Sequence, residues 1–219
     1  MPLRSLYPGD DYNRIRPILR AAFASLETVE EFCSVRDELF LSTVIPTNEP
    51  EVWSFWSHLR HLALYNVDVA SPNFLVALRR CDGLITLVLT RPDGLEESIE
   101  DLEFPPLPHL QRLSVVNTMR GHRQWPLFGQ LTWRSCFLGR ILTATPHFSP
   151  AICMAESVAA ARGGIDRLVV SIDVPMPAGR DGYEAEVCQE WVRNHAIDGS
   201  LWEFDGSSIS REMEQTHTQ

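Results

Sequence analysis

What this chain of 219 residues lacks narrows its class first. It has no apolar run near the ~18 residues that a membrane span needs, and its opening MPLRSLYPGDDYNRIRP contains no apolar run of signal-peptide length. It is short of basic residues: 19 Lys+Arg against 29 Asp+Glu give a net charge of −10. A phosphate backbone needs a broad basic footprint, so nucleic acid is not an expected partner. The five cysteines, Cys33, Cys81, Cys136, Cys153 and Cys188, are odd in number and include no CxxC pair. That spacing suits reduced, buried thiols inside a cell, in cytoplasm or nucleus, rather than a disulfide framework.

Catalytic signatures are missing as well. There is no G-x-S-x-G elbow. The stretch LVLTRPDGLEESIEDL imitates a strand-loop-helix nucleotide site but carries neither G-x-G-x-x-G nor a P-loop lysine, so its acid run reads as solvated. His58, His61, His122 and His147 have no carboxylate or cysteine at ligand spacing. No metal, no cofactor and no catalytic residue is expected.

What is present is a repeated phrase. LRHLALYNVDV places Leu59, Leu62 and Leu64 in the pattern L-x-x-L-x-L. LITLVL repeats it with Leu84, Leu87 and Leu89, and LQRLSVVNT with Leu110, Leu113 and Val115. IDRLVVSI follows with Ile165, Leu168 and Val170, and VEEFCSV is a degenerate copy with Val29, Phe32 and Ser34. Repeat units of this type run roughly 20–29 residues. The steps here, from 29 to 59, 84, 110 and 165, are 30, 25, 26 and 55 residues, the last being two periods.

Between the phrases lie helical stretches. Ile15, Ile18, Leu19 and Phe23 form one stripe, with Pro17 as an early kink or a first-turn residue; Val52, Trp53 and Trp56 share a side; and Phe74, Leu75 and Leu78 follow a Ser71-Pro72 start. SPAICMAESVAAARGG is a further helix ending in two glycines. The fold expected is α/β: a leucine-rich-repeat solenoid over 1–172, with irregular helix-strand units and a parallel sheet. Residues 117–147 are an insertion or a degenerate repeat, with CFLGRILTATP as a helix. Residues 173–204 form a C-terminal capping segment, including a helix from Tyr183 to about His195. Residues 205–219, which have little apolar content, are expected to be a disordered tail.

On FWSHLRHLALYNVDV, FLVALRRCDGLITLVLT, LPHLQRLSVVNT and AAARGGIDRLVVSI the chain resembles the leucine-rich-repeat portion of fungal F-box and F-box-like proteins. The resemblance covers about residues 13–172 and is one of pattern. It implies a substrate-receptor repeat face. The Leu-Pro start and helical triplet of an F-box do not stand in residues 1–50, so docking on a Skp-type adaptor is less directly implied. The chain is then a stand-alone repeat protein, or a fragment or truncated remnant of a larger one.

In such a repeat the residues between the core leucines point to the concave face. Third positions are His61, Thr86, Arg112 and Arg167; fifth positions Ala63, Val88, Ser114 and Val169; seventh positions Tyr65, Thr90, Val116 and Ser171. Three of four third positions are His or Arg, a cationic stripe suited to an acidic or phosphorylated peptide. The partner-binding candidates are His61, Tyr65, Thr86, Arg112, Ser114, Arg167 and Ser171. The plainer reading is a solvated sheet face with scattered charges. The function expected is a non-catalytic protein-interaction scaffold; the alternative is a small intracellular α/β enzyme.

Overall fold

The computed structural model describes residues 11, 14–36, 39, 41, 43, 49–122, 135–143 and 168–208. It is a mixed α/β structure built on one six-stranded sheet. Strands β1 (Glu31–Cys33), β2 (His61–Tyr65), β3 (Thr86–Thr90), β4 (Arg112–Thr118) and β5 (Leu168–Val174) run parallel and in sequence order. The short β6 (Ser207–Ser208) adds antiparallel to β5.

The repetition is geometric as well as lexical. Each phrase opens with its first apolar residue closing a tight turn: Val29 N–H to Leu26 O, Leu59 to Trp56, Leu84 to Cys81, Leu110 to Leu107. One carbonyl then takes two successive amides of the next strand. Glu30 O accepts from Arg60 and His61, Arg60 O from Ile85 and Thr86, and Ile85 O from Gln111 and Arg112. These shared acceptors set the register Glu31–His61–Thr86–Arg112 across four strands. The strand exits also match: Asn66 and Arg91, each seven residues past its first leucine, take left-handed φ of 53° and 49°. Just beyond them Asp68 and Asp93 form a parallel bridge.

Alternation then sorts side chains between two faces. On one, Leu62, Leu64, Leu87, Leu89, Leu113, Val115 and Val169 are buried in a single core. Helical elements cover it. α1 (Ile15–Ala24) brings Phe23 against the core, the 3-10 turn Val52–Phe55 buries Val52 and Trp53, and α2 (Pro72–Arg79) buries Phe74, Leu75 and Leu78. The short α3 (Met119–His122) leads away from β4. α4 (Phe137–Thr143), within the stretch read as an insertion or degenerate repeat, adds Phe137, whose ring meets those of Phe74 and Phe104 at 5.8 Å each. The stripe expected for α1 is only partly inward: Ile15 and Ile18 are exposed.

The other face is not open. α5 (Glu184–Asp198) lies across it, and Val187, Cys188 and Val192 pack with Ala63, Val88, Val116, Val170, Ile172 and Leu201 in a second core. Residues 173–204 therefore seal a face of the sheet rather than only capping its end. The helix expected at 149–164 and the tail beyond Ser208 lie outside the described residues, while the start of that tail, Asp205 to Ser208, is described and ends in β6 where disorder is expected.

Leu87, fully buried in the central strand, anchors the first core. Leu87→Ala is expected to lower unfolding free energy by about 2–5 kcal/mol. Val76→Ala, at a half-exposed position of α2, is expected to stay within about 0.5 kcal/mol in the same urea titration.

Candidate functional site: a cleft at the strand starts

The shared acceptors bring the first residues of four strands into one row, Glu31, His61, Thr86 and Arg112. Above the row stands the 3-10 turn Ser200–Trp202, entered through Gly199 at φ 81°. Together they enclose a cleft of about 560 Å³, lined by Glu31, His61, Thr86, Gln111, Arg112, Trp202 and Glu203 among others.

Its interior is polar and mostly engaged. The Trp202 indole donates to the Glu31 carboxylate at 3.0 Å and its ring lies 5.4 Å from that of His61. The Arg112 guanidinium donates to the Phe204 carbonyl at 2.9 Å and stands 4.0 Å from the Asp205 carboxylate. His61 Nδ1 is buried and has no hydrogen-bond partner. Such an unmet group costs about 1–3 kcal/mol unless a ligand supplies its partner.

Three of the seven expected residues, His61, Thr86 and Arg112, thus meet in one site. The others do not join them. Ser114 is buried under α5 with its hydroxyl unpartnered, and Tyr65 sits half-buried at the far end of β2. Arg167 lies outside the described residues.

Ser171 is a correction of register. The phrase alignment sets Arg167 opposite Arg112, whereas the strands pair Leu168 with Arg112 and Ser171 with Val115. A one-residue slip turns every side chain of a strand to the other face. Ser171 therefore shares the side of Val169, and Val170 and Ile172 take the places expected for Val169 and Ser171.

Two features were missed. Glu31 completes the row at the third position of the degenerate first phrase, and it makes the stripe mixed in charge rather than cationic. The covering of the second face had a signal: Ala63, Val88, Val116 and Val170 are apolar, as an open face would not be, and Val187, Cys188 and Val192 give α5 an apolar side.

Among the described residues no group of three or more His, Cys, Asp or Glu is placed to hold a metal ion, and no helix is long and apolar enough to cross a membrane. Comparison with protein-family models, with curated proteins and with solved structures finds no match to this chain.

The thiols near the two cores are poor nucleophiles. Burial pushes Cys81 up to about 12 and Cys188 up to about 11. Between the ordinary thiol range and those values the unfolded chain gives up a proton that the folded chain keeps. Stability therefore falls as pH rises, by about 1.4 kcal/mol per pH unit for each such thiol. Urea midpoints at pH 8 and pH 10 should show that loss, and Cys188→Ala should lessen it.

Proposed function

We infer that the chain is a non-catalytic protein-binding module, an irregular leucine-rich-repeat solenoid akin to the repeat portion of fungal F-box proteins. It takes an acidic or phosphorylated segment of a partner protein at the strand-start cleft. The repeat reading is supported by the strand-entry hydrogen bonds, which recur with the same donors and acceptors in successive units 25–30 residues apart. A substrate-receptor role, with or without a Skp-type adaptor, belongs to the same proposal and rests on the sequence resemblance.

The observation that carries the binding reading is the surroundings of Arg112. Its side chain, 18% exposed, holds a main-chain carbonyl and faces a carboxylate, the two groups an acidic peptide presents. A guanidinium satisfies carboxylate or phosphate oxygens through paired N–H bonds. Glu31 at the opposite end of the row repels a second acid there, so the acidic group belongs at the β4 end. An enzymatic reading has less support, because the strand order among the described residues runs without the reversal at which open α/β sheets form their substrate crevice.

The test is an array of acidic, phosphorylated and neutral peptides probed with the purified chain and with Arg112→Glu. Acidic and phosphorylated peptides should be retained by the parent. The variant should bind them at least tenfold more weakly, about 1.4 kcal/mol, with an unchanged circular dichroism spectrum. Retention blind to charge, or equal binding by the variant, would contradict the proposal.

A further inference from the structure

The roof of the cleft is the chain's own C-terminal arm, and it makes the contacts expected of a bound peptide. Trp202 lies against His61 and donates to Glu31; Phe204 O and Asp205 meet Arg112; Ser207 pairs with Ser171 and Ser208 with Val170 at the sheet edge. Strand addition with side chains seated in adjoining pockets is a common mode of peptide recognition. We propose that residues 202–208, of which Trp202 and Glu203 wall the cleft, are a displaceable autoinhibitory strap across it, and that a partner's acidic segment replaces them. This rests on the peptide-binding reading above.

The arm changes character at Leu201. That residue is fully buried in the second core and fixes the arm's root to α5. Beyond it the hold is partial: Trp202 and Phe204 are half-buried against the second core. Glu203 and Asp205 are exposed, the latter at 97% of its side chain, and an ion pair so open to water contributes little. The β6 ladder is two residues long, and so short a pairing is marginal by itself. Phe204 rests edge-on against Trp191 at 4.8 Å and against His195 at 4.9 Å, so the arm's main apolar hold beyond Trp202 is one ring on α5. The fit is also incomplete: with Trp202 in place, His61 Nδ1 stays buried and unpartnered. A peptide offering that nitrogen a partner, and Arg112 a closer carboxylate, would displace the arm.

Gly206 supplies the means of testing this. A Cβ there would overlap the carbonyl oxygen of Ser171, so Gly206→Val prevents β6 from seating while leaving α5 and Leu201 alone. Fluorescein-labelled SLWEFDGSS, the sequence of residues 200–208, is titrated against the full chain by anisotropy. Gly206→Val should bind it at least tenfold more tightly than the parent, and adding Arg112→Glu should abolish the gain. Asp205→Arg, at an exposed position, is a second releasing variant, expected to gain at least threefold.

Hydrogen exchange verifies release: amides of 202–208 should exchange faster in both variants while those of β3 do not. If the arm is released and the variants bind no better than the parent, although acidic array peptides still bind all of them, the strap is overturned and the binding module stands. If the arm is released and no acidic peptide binds any of them, the binding reading falls and the strap with it.

Discussion

One carbonyl at each of three successive strand junctions governs this structure. Glu30, Arg60 and Ile85 each offer their oxygen to two consecutive amides of the following strand. That doubled acceptor fixes where each strand starts relative to its neighbour, and in a parallel ladder the start determines everything after it. Because side chains alternate with a period of two, a fixed start also fixes which residues face which side. The leucines go to one core and the smaller apolar residues to the other.

Function then has little room. The leucine face is filled by the connecting helices and the opposite face by α5, so neither broad face of the sheet is free over β3 to β5. What stays accessible is the row of strand starts, where the polar third positions fall beside the 3-10 turn at Ser200–Trp202. The same hydrogen bonds that set the register therefore assemble the cleft. Glu31, His61, Thr86 and Arg112 are 30, 25 and 26 residues apart in sequence, and only the ladder makes them neighbours.

Much of this was legible in the sequence because leucine spacing and backbone register have a common cause. The phrases at Leu59, Leu84 and Leu110 predict β2, β3 and β4 and their mutual alignment, and Phe74, Leu75 and Leu78 predict the inward side of α2. The reading failed where apolar residues stand at adjacent positions. In LVVSIDV, Leu168, Val169 and Val170 are apolar in succession, so pattern alone does not tell which alternate set faces the leucine core, and the alignment chosen was one residue out. It failed again where a face is covered by an element distant in sequence. Ala63 and Val88 signal by their apolar character that their face is covered, but not that the cover is a helix beginning at Glu184. Strand periodicity identifies two faces; which segment covers each is decided by tertiary packing.

Ser114 is the most direct probe of that second covering. Its side chain is fully buried on the α5 face, with its hydroxyl unpartnered. The measurement is the urea-unfolding free energy of Ser114→Lys against the parent. A face sealed by α5 must bury or expel an ammonium group, and the account predicts a loss of about 3 kcal/mol or more, or failure to fold. A change within about 0.5 kcal/mol, typical of a solvated surface position, would mean that the face is open and that α5 does not cover it.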